Sequence, residues 1–318
     1  LTPRAVIGVP LYNRAEYLEE ALESLLGQTF REVCFVLVDD ASTDATGEIA
    51  AAAAARDPRV LLFSNPERVG MLLNWRRAFE LAREHFPSAQ YFGWGSDHDR
   101  WDPRWLESLV AALDTHPEAV LAYPHFVRIT ESGEERRRRR LARFSTTGTH
   151  SPRRRFAATL LKAPAGSLVY GLFRMEAIAR AGVFRRVIAA DRLLLLEASL
   201  QGEFLQLPDI LWRRRFKIRV SGGRQRRAFF PGGAPLWSYI PWWLQQPAVL
   251  FWLLGVRGEG LPIVPRSIGF WAAFVYLPLA LTRALWRGSR KVRKWLRRGW
   301  LRGRAGAVKA ARALQRQA

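Results

Sequence analysis

Asp97, His98 and Asp99 set two carboxylates around an imidazole, separated by two residues from the preceding apolar run Tyr91-Phe92-Gly93-Trp94. Such a donor set suits Mn2+ or Mg2+, hard or borderline cations that accept carboxylate, imidazole and phosphate oxygens together. A plainer reading competes, because acidic residues after a strand also cap the next helix, and Asp102-Pro103 has the form of a helix start. Three more polar clusters sit in the same kind of place. Pro10-Leu11-Tyr12-Asn13 follows Val6-Ile7-Gly8-Val9, Asp39 and Asp40 open the polar stretch after residues 33–38, and Ser64-Asn65-Pro66 follows Val60-Leu61-Leu62-Phe63. Four clusters at the ends of four apolar runs are harder to explain as capping than any one alone. Together they can hold a nucleotide: Asp40 accepting the N–H of a pyrimidine ring, Tyr12 packing on the base, a metal binding the diphosphate.

Those clusters need a frame that turns them toward one place. The apolar runs alternate with helical patterns over residues 15–27, 43–56, 70–85 and 103–115, a rhythm that predicts an α/β fold with a mostly parallel sheet flanked by helices. In such a sheet the ligand lies beyond the carboxyl ends of the strands, where the four clusters fall. Neither Gly-x-Gly-x-x-Gly nor Gly-x-x-x-x-Gly-Lys-Ser/Thr stands at the first turn, which excludes a dinucleotide-binding fold and a P-loop.

After Val120-Leu121-Ala122-Tyr123 the pattern weakens. Residues 134–155 carry Arg136 to Arg140 and Arg153-Arg154-Arg155 around a Ser/Thr/Gly-rich stretch, read as an exposed loop whose charges are either solvated or a phosphate anchor. A second ordered stretch, 166–215, includes a helix near 175–181 and an apolar helix that Asp191 opens, where an N-cap explains the acid about as well as catalysis. Residues 1–215 are thus expected to form the catalytic domain.

From 216 to 318 the composition changes. Trp237, Trp242, Trp243, Trp252, Trp271, Trp286, Trp295 and Trp300 punctuate apolar runs, no acidic residue follows Glu259, and Arg and Lys crowd the tail. Trp with Arg/Lys at apolar boundaries marks an anionic membrane surface. Pro241, Gln245-Gln246, Pro247 and Pro278 interrupt the two candidate spans, favouring interfacial or re-entrant helices over a hairpin, with packing on the catalytic domain as the soluble alternative. The net charge of +22 calls for a polyanion, and lipid suits the Trp-rich apolar context better than nucleic acid. Cys34 alone cannot form an internal disulfide, and Leu1-Thr2-Pro3-Arg4 lacks the order of a signal peptide, so the expectation is a cytoplasmic protein at the inner face of the cell membrane.

The stretches Val6 through Asn13, Leu25 through Phe30 and Val38 through Asp44 resemble the opening of family 2 glycosyltransferases, inverting enzymes of the GT-A fold. The likeness continues through Asn65, Gly70 and Asn74, the acidic triplet with Trp101 and Pro103, then Gly171-Leu172-Phe173-Arg174, Asp191 and Gly202. The resemblance implies transfer of a sugar, with inversion, from a nucleotide-diphosphate sugar, UDP being the expected nucleotide. The acceptor would be a hydroxyl of a glycan or lipid-linked molecule in cell-envelope polysaccharide assembly. It also implies that Pro10, Tyr12 and Asp40 contact the nucleobase, that Asp97 serves the ribose or the metal, and that Asp191 is the general base. Asn13, Asp39, Asn65 and Asn74 join the nucleotide-binding set. Arg213 and Arg214 are candidates for the leaving phosphates. One departure stands out: the family's Asp-x-Asp-Asp is here Ser96-Asp97-His98-Asp99, with His98 in the place of the metal-binding carboxylate. His98, Asp99 through a backbone shift, or arginines instead of a metal are the three ways to meet the diphosphate. Rival functions are a nucleotidyltransferase, which would want a Gly-rich basic loop where Pro10-Leu11-Tyr12-Asn13 stands, and a non-catalytic polyanion binder.

Overall fold

The structure, a computed structural model, describes residues 2–136, 143–216 and 222–250, with helical positions between 267 and 285. The chain runs β1 (Ala5–Leu11), α1 (Ala15–Leu26), β2 (Val33–Asp39), α2 (Thr46–Arg56), β3 (Val60–Ser64), α3 (Met71–His85), β4 (Tyr91–Trp94), β5 (Arg100–Trp101) and α4 (Trp105–Thr115). It continues through β6 (Ala119–Ile129), α5 (Pro152–Lys162), α6 (Ala165–Leu168), β7 (Leu172–Arg174), α7 (Met175–Ala181), α8 (Ala190–Gln201) and β8 (Glu203–Arg215). Then come α9 (Gly222–Phe229), a 3-10 turn (Leu236–Tyr239) and α10 (Trp242–Leu250).

One eight-stranded sheet has the order β3-β2-β1-β4-β7-β6-β8-β5. β3, β2, β1 and β4 are parallel, as is β6 with β8, while β7 runs against both its neighbours and β5 against β8. Every residue of β1 and β2 is buried, which is why both read as unbroken apolar runs rather than alternating ones. Alternate side chains still serve different layers. Val6 and Val36 pack with α3, α5, α7 and α8, whereas Ile7 and Phe35 pack with α1, α2 and α4.

Local chemistry sets several boundaries. α2 begins at Thr46, three residues later than the pattern predicts, because Asp44 stays outside it as a double cap: one oxygen accepts from Thr46 N at 3.0 Å and the other from Ala15 N, at the start of α1, at 3.2 Å. The weakly patterned region is more ordered than its composition suggests. β6 runs on to Ile129 because β8, some eighty residues away, supplies its partner, and α5 fills Pro152–Lys162 behind the N-cap Ser151. Arg155, read as loop charge, is buried; it donates to the carbonyls of Ser199 and Leu200 at 2.8 and 3.1 Å and so closes the C-terminus of α8. The rest of that basic run, 137–142, lies outside the described residues, as do Trp252, Trp286, Trp295, Trp300 and the tail after 285. Among the described residues no helix is long and apolar enough to cross a membrane.

Candidate active site

An open cavity lies at the carboxyl ends of β1, β2 and β4. Pro10, Tyr12 and Arg14 come to it from β1 and its loop, Asp40 from β2, Arg68, Asn74 and Trp75 from the β3–α3 connection and α3, and Ser96, Asp97 and His98 from β4. Tyr170 and Ala228 complete the wall. Parallel strands force this convergence, because all their carboxyl ends face one way and every following loop must turn there.

Asp40 is 2 % exposed and heavily engaged. One oxygen accepts from Asn65 Nδ2 at 2.9 Å and Val69 N at 2.8 Å, the other from Gly70 N at 2.9 Å. A carboxylate offers about four acceptor directions, so one remains. Asn65 also donates to Asn74 Oδ1 at 3.0 Å, and Asn74 Nδ2 donates to Val38 O at 2.9 Å, tying β2 to α3. Asn65 and Asn74 therefore brace Asp40. Gly70, with φ of 92°, is needed there twice over: an added Cβ would stand 2.6 Å from Pro231 Cδ and 2.8 Å from Phe229 O.

Asp39 and Asn13 stand apart from the cavity wall. Asp39 accepts from the Ser42 hydroxyl and backbone N–H, and Asn13, at φ 47°, clasps Thr43, accepting its N–H at 2.8 Å. These contacts lock the loops after β1 and β2 to each other. They set the backbone from which Tyr12, Arg14 and Asp40 project.

The triplet divides. Asp97 faces the cavity, its Oδ1 2.5 Å from His98 Nδ1 and its Oδ2 3.5 Å from Arg14 Nε. Burial opposes a charge on His98, but Asp97 and then Asp99 outweigh it and raise the imidazole pKa. Asp99 is 1 % exposed and accepts from Trp212 Nε1 at 3.0 Å and Arg215 N at 2.7 Å. Its carboxyl pKa is raised by burial. Among the described residues no three His, Cys, Asp or Glu side chains are grouped to hold a metal ion. As arranged, these donors do not fit a divalent cation: His98 Nδ1 and Arg14 Nε are turned on the two oxygens of Asp97, and both oxygens of Asp99 are used by β8.

Asp191 lies in the first turn of α8. Burial raises its carboxyl pKa, with Arg192 and Arg214 pulling the other way. A Cβ added to Gly166 would lie 3.7 Å from Asp191 Oδ2 and 4.0 Å from Arg214 Nη2, so acid and guanidinium flank that glycine together. Arg214 donates to Ser167 Oγ at 3.1 Å and stacks over Tyr170 and Trp212. Tyr170, which lines the cavity, feels Arg214, Asp99, Asp97 and Asp191, and burial pushes its phenol pKa up. Asp191 thus adjoins the cavity through Tyr170 while staying outside its immediate lining. Arg213 is not brought there; its Nε lies 3.4 Å from Glu135, on the opposite side of β8 from Arg214.

Among the lining residues that escaped sequence reasoning are Arg14, Arg68, Trp75 and Tyr170. Arg68 lies 4.0 Å over the Tyr12 ring, and the Nε atoms of Arg14 and Arg68 are buried without a hydrogen-bond acceptor. Arg14 had a signal in its place directly after Asn13. The others do not stand out among 50 Lys and Arg and 13 Trp.

Comparison with known proteins adds the lineage. The family model described as Glycosyl transferase family 2 matches residues 6–181, just over half of the chain. Uncharacterized protein Rv1520 of Mycobacterium tuberculosis is 35% identical over 121 residues, covering 37% of this chain and 33% of its own length. Glycosyltransferase GlyG of Streptococcus pneumoniae is 42% identical over 62 residues, 20% of this chain and 21% of the relative. The chain thus spans a third or less of these curated relatives. Two solved structures share the fold. S. aureus TarS in complex with UDP-GlcNAc has a TM-score of 0.58 at 17% identity, covering 88% of this chain and 71% of that one. Mannosyltransferase PcManGT from Pyrobaculum calidifontis, in complex with GDP-Man and Mn2+, has a TM-score of 0.52 at 20% identity, with 90% and 88% covered.

Proposed function

The chain belongs to glycosyl transferase family 2, and from that premise we propose that it moves a sugar from a nucleotide-diphosphate sugar, with UDP as the nucleotide, to an acceptor hydroxyl with inversion at the anomeric carbon. The observation that carries this reading is the convergence of Tyr12, Asp40 and Asp97 with two guanidinium groups on one cavity at the carboxyl rim of the sheet. Tyr12 supplies a face for a base, and Asp40 keeps one acceptor direction for a ring N–H. Arg14 and Arg68 bring positive charge where a diphosphate must sit. Family membership sets aside the nucleotidyltransferase and the non-catalytic polyanion binder.

Asp191 is the general base of this reading. It takes the acceptor's hydroxyl proton as the new C–O bond forms, while the diphosphate departs with the electrons of the old one. A carboxyl whose burial raises its pKa is a stronger base, which suits the task. A divalent cation is the family expectation, and TarS and PcManGT are described with nucleotide sugars, the latter with Mn2+. Because the triplet of this chain does not fit that ion, no step of the reaction is routed through it.

The acceptor is proposed to be a glycan or lipid-linked hydroxyl of cell-envelope polysaccharide assembly, met at the inner face of the membrane. Support comes from the C-terminal segment. Leu236, Tyr239, Ile240 and Leu244 are exposed, and in the helical positions between 267 and 285 Phe274 and Leu285 are exposed while Tyr276, on the opposite face, is buried in the core. A segment that is apolar on its outer as well as its inner face suits a lipid interface better than water.

A screen of UDP- and GDP-sugars for release of the nucleoside diphosphate tests the whole reading. Release by the wild-type chain and its loss in Asp191→Asn is the expected result. No release from any nucleotide sugar would defeat it.

A further inference from the structure

The turn that launches Asp191 has only backbone support of its own, Arg192 N and Leu193 N donating to Ala189 O at 3.0 and 3.4 Å. Ala189 is the N-cap of α8 at φ 56° and ψ 47°, with no side-chain cap, and alanine is a poor residue for either role. Phe184, five residues earlier, is also left-handed at φ 40°. Side-chain support for the turn comes from 57 and 58 residues downstream. Gln246 Nε2 donates to Ile188 O at 2.8 Å and Ala189 O at 2.9 Å, and Gln245 Oε1 accepts from Ile188 N at 3.1 Å. Gln246 is 0 % exposed. Each glutamine is itself anchored: Gln245 Nε2 donates to Trp237 O at 2.7 Å and Ile240 O at 2.6 Å, and the Tyr276 hydroxyl donates to Gln246 Oε1.

We propose that Gln245 and Gln246 are positioning residues, and that the C-terminal segment is thereby a working part of the active site: it holds the 188–189 turn so that Asp191 points at the acceptor. The inference rests on the reading of Asp191 as the base. Each amide gives one polar group to this turn, Gln245 its Oε1 and Gln246 its Nε2, and anchors the other elsewhere in the C-terminal segment, so the pair bridges the two. The exposed apolar side chains Tyr239, Ile240 and Phe274 belong to the same segment, so whatever that face docks on is mechanically joined to the base.

Two measurements on the full chain test this. In hydrogen–deuterium exchange, Gln246→Leu, which keeps the bulk and loses the hydrogen bonds, is expected to speed exchange of amides 188–193 by about tenfold or more, with 33–39 unchanged. Should that variant not fold, Tyr276→Phe, which loosens Gln246 from its far end, is expected to act in the same direction by about twofold. In hydrolysis of UDP-GlcNAc and GDP-mannose, Gln246→Leu is expected to lower kcat by about 10²-fold with KM within about twofold. The acid limb of its kcat–pH profile should also move to lower pH, because Asp191 swung out of its site loses the burial that raises it. A merely structural defect would reduce the amount of active enzyme and leave that limb in place. Unchanged exchange at 188–193, or a lowered kcat with an unmoved limb, overturns the clamp and leaves the glycosyltransferase reading intact. Faster exchange in a chain whose wild type releases neither UDP nor GDP defeats that reading, and the catalytic role of the clamp falls with it.

Discussion

Trp212 donates its indole N–H to Asp99 Oδ2 at 3.0 Å across 113 residues of sequence. With Arg215 N on the other oxygen, the last carboxylate of the triplet becomes a strut between the loop after β4 and strand β8. One acid of the motif serves the architecture and its neighbour Asp97 serves the cavity.

Removing the strut orphans two buried donors. Asp99→Ala is expected to lower the free energy of unfolding in urea by roughly 1–3 kcal/mol. Circular dichroism across the titration measures it, and an unchanged midpoint would show that Trp212 and Arg215 find other acceptors.

Two guanidinium groups, Arg14 and Arg68, bring positive charge to the cavity. Arg68→Ala is expected to weaken UDP binding about tenfold in calorimetry, since it removes both a cation and the cover on Tyr12, whereas Arg76→Ala, paired with Glu80 on the surface, should have no effect. The same titration in EDTA and in Mn2+ is expected to give affinities within a factor of about three. Binding seen only with Mn2+ would mean that the triplet rearranges to take the ion.

Asp191→Asn keeps the shape of the first turn of α8 and removes the carboxylate proposed as the base. Turnover should drop by about 10²–10⁴ with UDP affinity unchanged. A loss within a few-fold would assign proton removal to another group.

Glu197 is wholly buried, and burial pushes its carboxyl up to about 7 even though Arg185 stands 2.8 Å away. A folded pKa above the ordinary 4.5 favours the protonated form in the native state. Its contribution to stability is therefore complete below 4.5 and is lost as pH rises toward about 7. Unfolding free energies measured across that window should decline for the wild type, and Glu197→Gln should flatten the decline.

Phe274 is 83 % exposed and Leu285 73 %. Co-sedimentation with vesicles rich in phosphatidylserine is expected for the wild type and reduced several-fold in Phe274→Asp/Leu285→Asp. Equal sedimentation of both proteins would move the lipid contact elsewhere.

Strands β1 to β4, the helices of the first half and the polar clusters at the rim were legible in the chain, because an apolar run, a helical period and the polar loop between them are local patterns. Tyr12, Asp40 and Asp97 could be picked out for the same reason: each follows a readable strand. Where those side chains point was not local. Asp99 and Asp97 are two residues apart and look alike in sequence, yet Trp212 and Arg215 claim one and leave the other at the cavity. β6 reads as a short strand until β8 pairs with it, Arg155 reads as loop charge until α8 needs a closing cation, and nothing in the sequence near Asp191 announces that Gln245 and Gln246 bond to the turn before it. Partners far along the chain leave no period and no spacing behind, so those assignments come into being when the sheet and its helices bring the partners together.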